Sequence, residues 1–554
     1  ASKAFGVDNF TEEELVQEEA TKMGLPCTVA SDITKMYGLT TRTRTAIINA
    51  SILPKMLDTA NSTQQSVLQT GIQVPLMMMR GDGGVMEVEE MKKRPVLTML
   101  SGPAASVVGA LMYLRASNGI YFEVGGTSTN IGVIKNGRPT VNYSIIGGHR
   151  TYISSLDVRV LGVAGGSLVR AADHRLEDVG PRSAHIAGLE YAAFTPEEEI
   201  VEPVLEFFRP KPDDPEDYVC IRLKSGKRIA LTNTCAANVL KLIKPEYFAC
   251  GSYNSCVKAM QPLAEYLGVS VEEAARQILA KSCEKIVEVI NDLSEEYRLE
   301  TDQSVLVGCG GGAAALIPFA AQLLGLKYDI PENAEVISSI GVALAMVRDV
   351  VERVIPNPSM QDIAEIKQEA KMMAINSGAV PDSVEVHIEI DSQTQKVTAI
   401  AMGSTEVQTT DLLRECTVEE AKAIAADSLS IAADQMVFAA GNDQLYVFTN
   451  RDGENNRLRV VDKKGFIKVQ RRDADVEAAT VENCSEVIKH VWNSCCNYRT
   501  DTLLVPDMFV LLGSRVLDFA GVQNLEQVNN ILATELVGLR EDEPLIVIGG
   551  RNRF

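Results

Sequence analysis

Two short apolar runs in this chain each break off into a cluster of glycines. Gly119-Ile120-Tyr121-Phe122-Glu123-Val124 runs into Gly125-Gly126-Thr127-Ser128-Thr129, and Ser304-Val305-Leu306-Val307 runs into Gly308-Cys309-Gly310-Gly311-Gly312. A buried strand ending in glycines lets backbone N–H groups approach a ligand with no Cβ in the way. The first loop is followed by a second apolar run, Ile131 to Ile134, and a turn, Asn136-Gly137. The second leads into a helical stretch, Ala313 to Leu324. Taken singly, an ordinary glycine hairpin or a tight strand-to-helix turn would look the same. Together, and far apart in sequence, the two loops are expected to form two sides of one nucleotide cleft. This is not the dinucleotide fingerprint, because no G-x-G-x-x-G with a downstream acid occurs, and no G-K-[ST] marks a P-loop.

Consecutive N–H groups at Gly125, Gly126, Thr127, Ser128 and Thr129 suit an anion-binding nest, and three hydroxyls add donors. Glu123, at the strand end, is placed to hold a water or Mg2+ beside a phosphate. At Gly310, Gly311 and Gly312 a flat adenine or ribose could lie on the backbone. Three of the five histidines, His149, His174 and His185, fall around Asp157 and Asp173. Imidazole with carboxylate suits Zn2+ or Mn2+, which makes Asp157, His149 and His174 the candidate metal set. No short H-x-x-x-H spacing supports them, and exposed or capped loop histidines are the other reading. Cys309 reads as a small packed residue rather than a nucleophile, with no His near it in sequence.

The chain of 554 residues is too long for one core, so two to four domains are expected. A net charge of −21 argues against nucleic acid or an anionic membrane as the main partner. Eleven scattered Cys without a C-x-x-C pair fit a reducing cytoplasm. No apolar run of about 18 residues occurs, so no membrane span is expected. Helices are expected over 11–24, 43–69, 104–114, 255–300, 313–324, 334–354 and 360–376, with a Pro- and acid-rich surface excursion at 196–219. Pro356-Asn357-Pro358 is the best domain boundary, with alternating, antiparallel-style strands beyond it.

Several blocks are similar to the ATP-dependent hydantoinase/oxoprolinase family of the hydantoin-utilisation A type. They are RTRTAIINASILP (42–54), the stretch 75–110 with its S-G-P-A-A, FEVGGTSTNIGVIKNGRP (122–139), LDVRVLGVAGGSLVR (156–170), DVGPRSA (178–184) and the block 268–345. The resemblance implies an α/β fold, an actin/sugar-kinase/Hsp70-like (ribonuclease H-like) core with an additional C-terminal α+β domain. Residues 1–115 would then be the remainder of a first ATPase lobe. Residues 116–355 would be the second lobe, with the glycine loops and a helical insertion, and 360–554 the added domain. It implies ATP and Mg2+, with Gly125 to Thr129 as the second phosphate hairpin and Gly310 to Gly312 as the adenosine loop. Gly341 falls in the second connecting helix, and Glu123 and Asp157 are the candidate catalytic acids.

The implied activity is phosphorylation of a cyclic amide oxygen by ATP, after which water opens the ring, in a subunit that works with a B-type partner. Ketone carboxylation and a non-catalytic, ATP-switched scaffold or reactivase remain open on the same resemblance. Three departures stand out. The family's first hairpin, D-x-G-G-T-x-T-D, does not occur in these residues, so another chain or upstream sequence is expected to supply it. Glu123 and Asn130 replace two Asp. HIAGLEYA, from His185, replaces P-G-P-A-C-Y.

Overall fold

The structure, a computed structural model, describes residues 1–7, 9–111, 118–135, 138–299, 304–356, 358–391, 394–405, 415–453, 455–499 and 502–552. The expected turn Asn136-Gly137 and Asn357 of the expected boundary lie outside the described residues. The chain divides into two compact units. One comprises Ala1–Ala104, Val141–Leu156 and Leu344–Phe554, the other Ala105–Thr140 and Asp157–Ala343. No helix among the described residues is long and apolar enough to cross a membrane.

The second of these units carries both glycine loops. Its main sheet runs in the order Lys327–Asp329, Val305–Cys309, Gly119–Val124, Thr129–Lys135, Arg138–Pro139, and Val158–Leu161 also pairs with Thr129–Lys135. Gly119–Val124 lies parallel to Val305–Cys309, which lies parallel to Lys327–Asp329. Thr129–Lys135 is antiparallel to Gly119–Val124 and to Val158–Leu161. Gly119–Val124 and Val305–Cys309 are nearly continuous apolar runs because both of their faces are covered, whereas the edge strand Lys327–Asp329 is exposed. Helices Asn233–Val239, Tyr253–Leu267, Val271–Glu296 and Ala313–Leu324 share one core with these strands. The expected helical stretch 255–300 is two helices, since Gly268 stops the first in a left-handed conformation and the Ser270 hydroxyl caps the second. A second sheet orders Arg175–Ser183, Ser167–Ala172, Tyr218–Arg222, Arg228–Ala230 and Glu190–Tyr191. The expected surface excursion contains one strand of a hairpin, Val204–Phe208 paired along its length with Tyr218–Arg222.

In the other unit, helix Leu39–Gln69 packs with the strand His149–Leu156 and a small core that includes Ala60, Met86, Val96 and Ile153. A five-stranded sheet runs Met77–Met79, Val85–Glu87, Val347–Val354, Lys396–Gly403, Glu385–Asp391, and helix Met360–Asn376 packs on it. The Arg80–Gly84 turn is held by buried charge. Arg80 pairs with Asp82 at 2.9 Å and with Asp349 at 2.7 Å. Further along, two four-stranded sheets pack about a shared core containing Leu445, Val460, Phe509 and Ile548.

Two expectations change. The helix read over 334–354 stops at Leu344, and Val347–Val354 is a strand. Val347, Asp349 and Val351 are buried in alternation with the half-buried Arg348, Val350 and Glu352, which is a period of two rather than 3.6. The boundary at 356–358 falls inside a sheet, because Val347–Val354 pairs residue for residue with Lys396–Gly403. Sheet pairing carries the fold across this point in the sequence.

Candidate functional site

The two glycine loops do not face each other across a cleft. They leave the same end of two neighbouring parallel strands, with Cys309 opposite Glu123 in the register, and are packed directly together. The Gly312 N–H donates to the Val124 carbonyl at 2.9 Å. A Cβ on Gly312 would lie 2.7 Å from the Gly125 oxygen, and one on Gly310 2.5 Å from the Val124 oxygen. Gly310 also has φ +83°, so these two glycines are required by the joint between the loops. Gly311 is the one left facing outward, against the Phe248 ring.

In the first loop, the Gly125 N–H donates to the Ser128 carbonyl at 3.1 Å and closes the turn. Among the described residues, the N–H groups of Gly126, Thr127 and Ser128 meet no acceptor. Gly125 and Gly126 are exposed, and Thr127 and Ser128 half-buried, so these donors are available to an anion. Thr129 differs from the expectation. Its side chain is fully buried and its hydroxyl donates to the Val163 carbonyl at 2.6 Å, which fixes a third loop rather than a ligand.

That third loop, Val163 to Gly166, completes the floor. The Gly165 N–H donates to the Gly125 carbonyl at 3.2 Å. Thr234, at the start of helix Asn233–Val239, donates its N–H and its hydroxyl to the Gly165 carbonyl at 2.9 and 3.0 Å. A Cβ on Gly166 would lie 1.8 Å from the Tyr191 hydroxyl and 2.5 Å from the Gly126 oxygen, so Tyr191 stands at the first loop. Burial pushes the Tyr191 phenol up to about 12, and it is a neutral donor at ordinary pH. The Thr127 and Ser183 hydroxyls lie 3.2 Å apart.

Beside the second loop is a cavity of about 360 Å³. Gly310 and Gly311 form its floor, Glu246 to Phe248 one wall and Ile330 to Glu335 the other. The Gly310 N–H donates to the Ala334 carbonyl at 2.8 Å and ties floor to wall.

Glu123 is held from two sides. The Ser106 hydroxyl donates to one carboxylate oxygen at 2.7 Å, and the Asn130 amide to the other at 2.9 Å. Glu123 and Asn130 are direct cross-strand partners. Asp157 is buried and accepts from the Arg159 guanidinium and from the Tyr297 hydroxyl. His149 is exposed in strand His149–Leu156. His174 sits in an exposed turn, its Nδ1 2.8 Å from the Tyr266 carbonyl and its ring stacked on Tyr266. Among the described residues no three His, Cys, Asp or Glu side chains gather where a metal ion could be held, so Asp157, His149 and His174 form no such group. Asp157 is instead an ion-pair and hydrogen-bond acceptor within its own unit. Cys309 is buried, and burial, then the Glu123 and Asp329 charges, push its thiol far up, which leaves it unreactive.

The hydantoinase/oxoprolinase family model matches residues 42–351, more than half of the chain, and spans both glycine loops. The chain belongs to the hydantoinase/oxoprolinase family. Among curated members, the alpha subunit of a caprolactamase from Pseudomonas jessenii is 26% identical over 315 residues, 56% of this chain and 41% of that protein. 5-oxoprolinase 1 of Arabidopsis thaliana is 25% identical over 355 residues, 61% of this chain and 26% of that protein. The chain thus spans less than half the length of these relatives. The crystal structure of the ATP-dependent caprolactamase from Pseudomonas jessenii shares the fold, with a TM-score of 0.55 at 18% identity over 84% of this chain and 75% of that one. A nucleotide-free acetone carboxylase structure has a TM-score of 0.47 at 16% identity, over 86% of this chain and 72% of that one.

For this member of the hydantoinase/oxoprolinase family, sequence reasoning missed Tyr191, Thr234 and Phe248. Each arrives from a segment remote from the glycine loops. Only Gly165-Gly166, visible as a strand giving way to glycines, signalled that a third loop belongs there.

Proposed function

We propose that this chain binds ATP at the joined glycine loops and serves in phosphorylating the carbonyl oxygen of a cyclic amide, which water then opens. One observation carries the reading. A loop with free N–H donors and a small cavity are welded side by side at the carboxyl ends of two parallel strands. Backbone donors there can neutralise phosphate charge, and ligands of open α/β sheets bind at such strand ends. The sheet order supports an actin/sugar-kinase/Hsp70-like core. Its central strand has an antiparallel meander on one side and two parallel strands on the other. The ATP-dependent caprolactamase of the same family and fold supports the substrate class and the nucleotide.

In that reaction the amide oxygen attacks the terminal phosphorus of ATP and ADP leaves. Water then adds to the activated carbon, the ring C–N bond breaks, and phosphate is released. The N–H groups of Gly126, Thr127 and Ser128 would take the phosphate charge, with the Tyr191 hydroxyl as a further neutral donor. Glu123, a carboxylate steadied by Ser106 and Asn130 at the edge of the loop, fits a hydrated Mg2+, which would supply charge neutralisation. The relative is an alpha subunit, which supports a B-type partner subunit for this chain. Purified with its partner, the complex should hydrolyse ATP only when a cyclic amide is added. ATP hydrolysis that ignores the amide, or none at all with it, would refute the reading.

A further inference from the structure

Phe248 is 69% exposed, yet the backbone that carries it is clamped. The Asn238 amide donates to the Ala249 carbonyl at 3.0 Å, and its oxygen accepts from the Gly251 N–H at 2.9 Å. Asn238 is itself fixed by donation to the Thr234 carbonyl at 2.9 Å, inside the helix that holds the third loop. The Cys250 N–H donates to the Tyr247 carbonyl at 2.9 Å. A single exposed Phe is unremarkable by itself. Its place is what matters. The ring edge lies on Gly311, where a Cβ would be 2.9 Å from Cδ1 and 3.3 Å from Cε1, and it forms one wall of the cavity.

The chemistry of that cavity selects its occupant. Glu246, Glu332 and Glu335 line it, and among the described residues no Lys or Arg does. Three carboxylates repel a polyphosphate but accept hydrogen bonds from hydroxyl and amino groups. About 360 Å³ is at the small end for ligand sites, which suits a nucleoside without its phosphates. The floor of the cavity is joined directly to the first loop, because Gly310 and Gly312 are packed on Val124 and Gly125.

We propose that Phe248 is the stacking wall of the nucleoside subsite and favours a purine over a pyrimidine. The base lies on the face of the ring, over the Gly310–Gly311 floor of the cavity, and the ribose hydroxyls donate to the carboxylates. The phosphates run out to Gly126, Thr127 and Ser128. The inference rests on the ATP reading above and adds the side chain that sets base preference.

The test is nucleotide titration of the full chain in its purified complex, with ATP and CTP as probes, for wild type, Phe248→Ala and Phe248→Trp. Stacking lost to alanine should weaken ATP by about tenfold. CTP, with its smaller ring, should weaken less, so the ATP preference narrows. Phe248→Trp should restore it, and unfolding midpoints should match. Equal ATP affinity in wild type and Phe248→Ala overturns this inference and leaves the ATP reading standing. Equal loss of ATP and CTP without rescue by Trp also overturns it, in favour of a structural role. No ATP binding by the wild-type complex overturns both.

Discussion

Gly341 to Ala is the sharpest test of the packing beneath the site. Gly341 is a buried position in helix Ile337–Leu344, which crosses helix Ser101–Leu111 backbone to backbone. An added Cβ would lie 1.9 Å from the Ala105 oxygen and 2.7 Å from the Gly109 nitrogen, and real Cβ atoms essentially never come within 3.0 Å. The obstacles are main-chain atoms, which no rotamer change can remove, so the helices must part by roughly 1 Å, forfeiting part of the contact energy along the crossing. Two effects oppose each other. Alanine gains about 1 kcal/mol of helix propensity over glycine. Overpacking costs about 1–3 kcal/mol, more where backbone must move. Here the second should win by about 1–2 kcal/mol, a fall of roughly 5 °C in unfolding midpoint for a unit of this size. Gly102→Ala is the control, since a Cβ there meets nothing within 4 Å, and it should leave the midpoint unchanged or slightly raised. Differential scanning calorimetry of the three proteins decides it. If Gly341→Ala is as stable as Gly102→Ala, the close crossing does not exist in solution.

Tyr121→Phe should stabilise the fold by about 1 kcal/mol in urea unfolding, because the Tyr121 hydroxyl is buried and has no hydrogen-bond partner among the described residues. Destabilisation of that size would mean that the hydroxyl is satisfied. Glu13 gives a pH signature. Burial alone would push its carboxyl up, but the Lys3 and Ser31 N–H groups and the Arg42 guanidinium outweigh that and hold it below the ordinary value. Its contribution is therefore present above about pH 4.5 and is lost as pH falls below it. Glu13→Gln should lower the midpoint at pH 7 and flatten the decline below pH 4.5, and parallel acid profiles for the two proteins would contradict this.

Local signals suffice where one segment carries the whole instruction. Helix Met360–Asn376 and helix Ala313–Leu324 fall at the expected residues, one opened by a Ser359–Asp362 capping box, the other by the glycine loop itself. Both glycine loops terminate strands as expected. What could not be read was pairing at a distance. Val347–Val354 begins three residues after helix Ile337–Leu344 ends, and its place in the sheet comes from pairing along its whole length with Lys396–Gly403. The loops' side-by-side arrangement likewise depends on parallel register between Gly119–Val124 and Val305–Cys309, which neither segment specifies alone.

The Glu123 and Asn130 departures look independent in sequence, but the fold makes them one feature. They stand directly opposite on adjacent strands, 2.9 Å apart between amide nitrogen and carboxylate oxygen. Two carboxylates at that separation would repel unless a proton or a cation lay between them. An amide opposite a single carboxylate removes that requirement, because it donates to the charge instead of adding to it. Ser106 completes the arrangement from the helix behind. The longer Glu side chain reaches both donors at once while remaining at the edge of the phosphate-type loop. The pair therefore holds the Glu123 carboxylate in a fixed place at the strand end through hydrogen bonds from this chain's own residues.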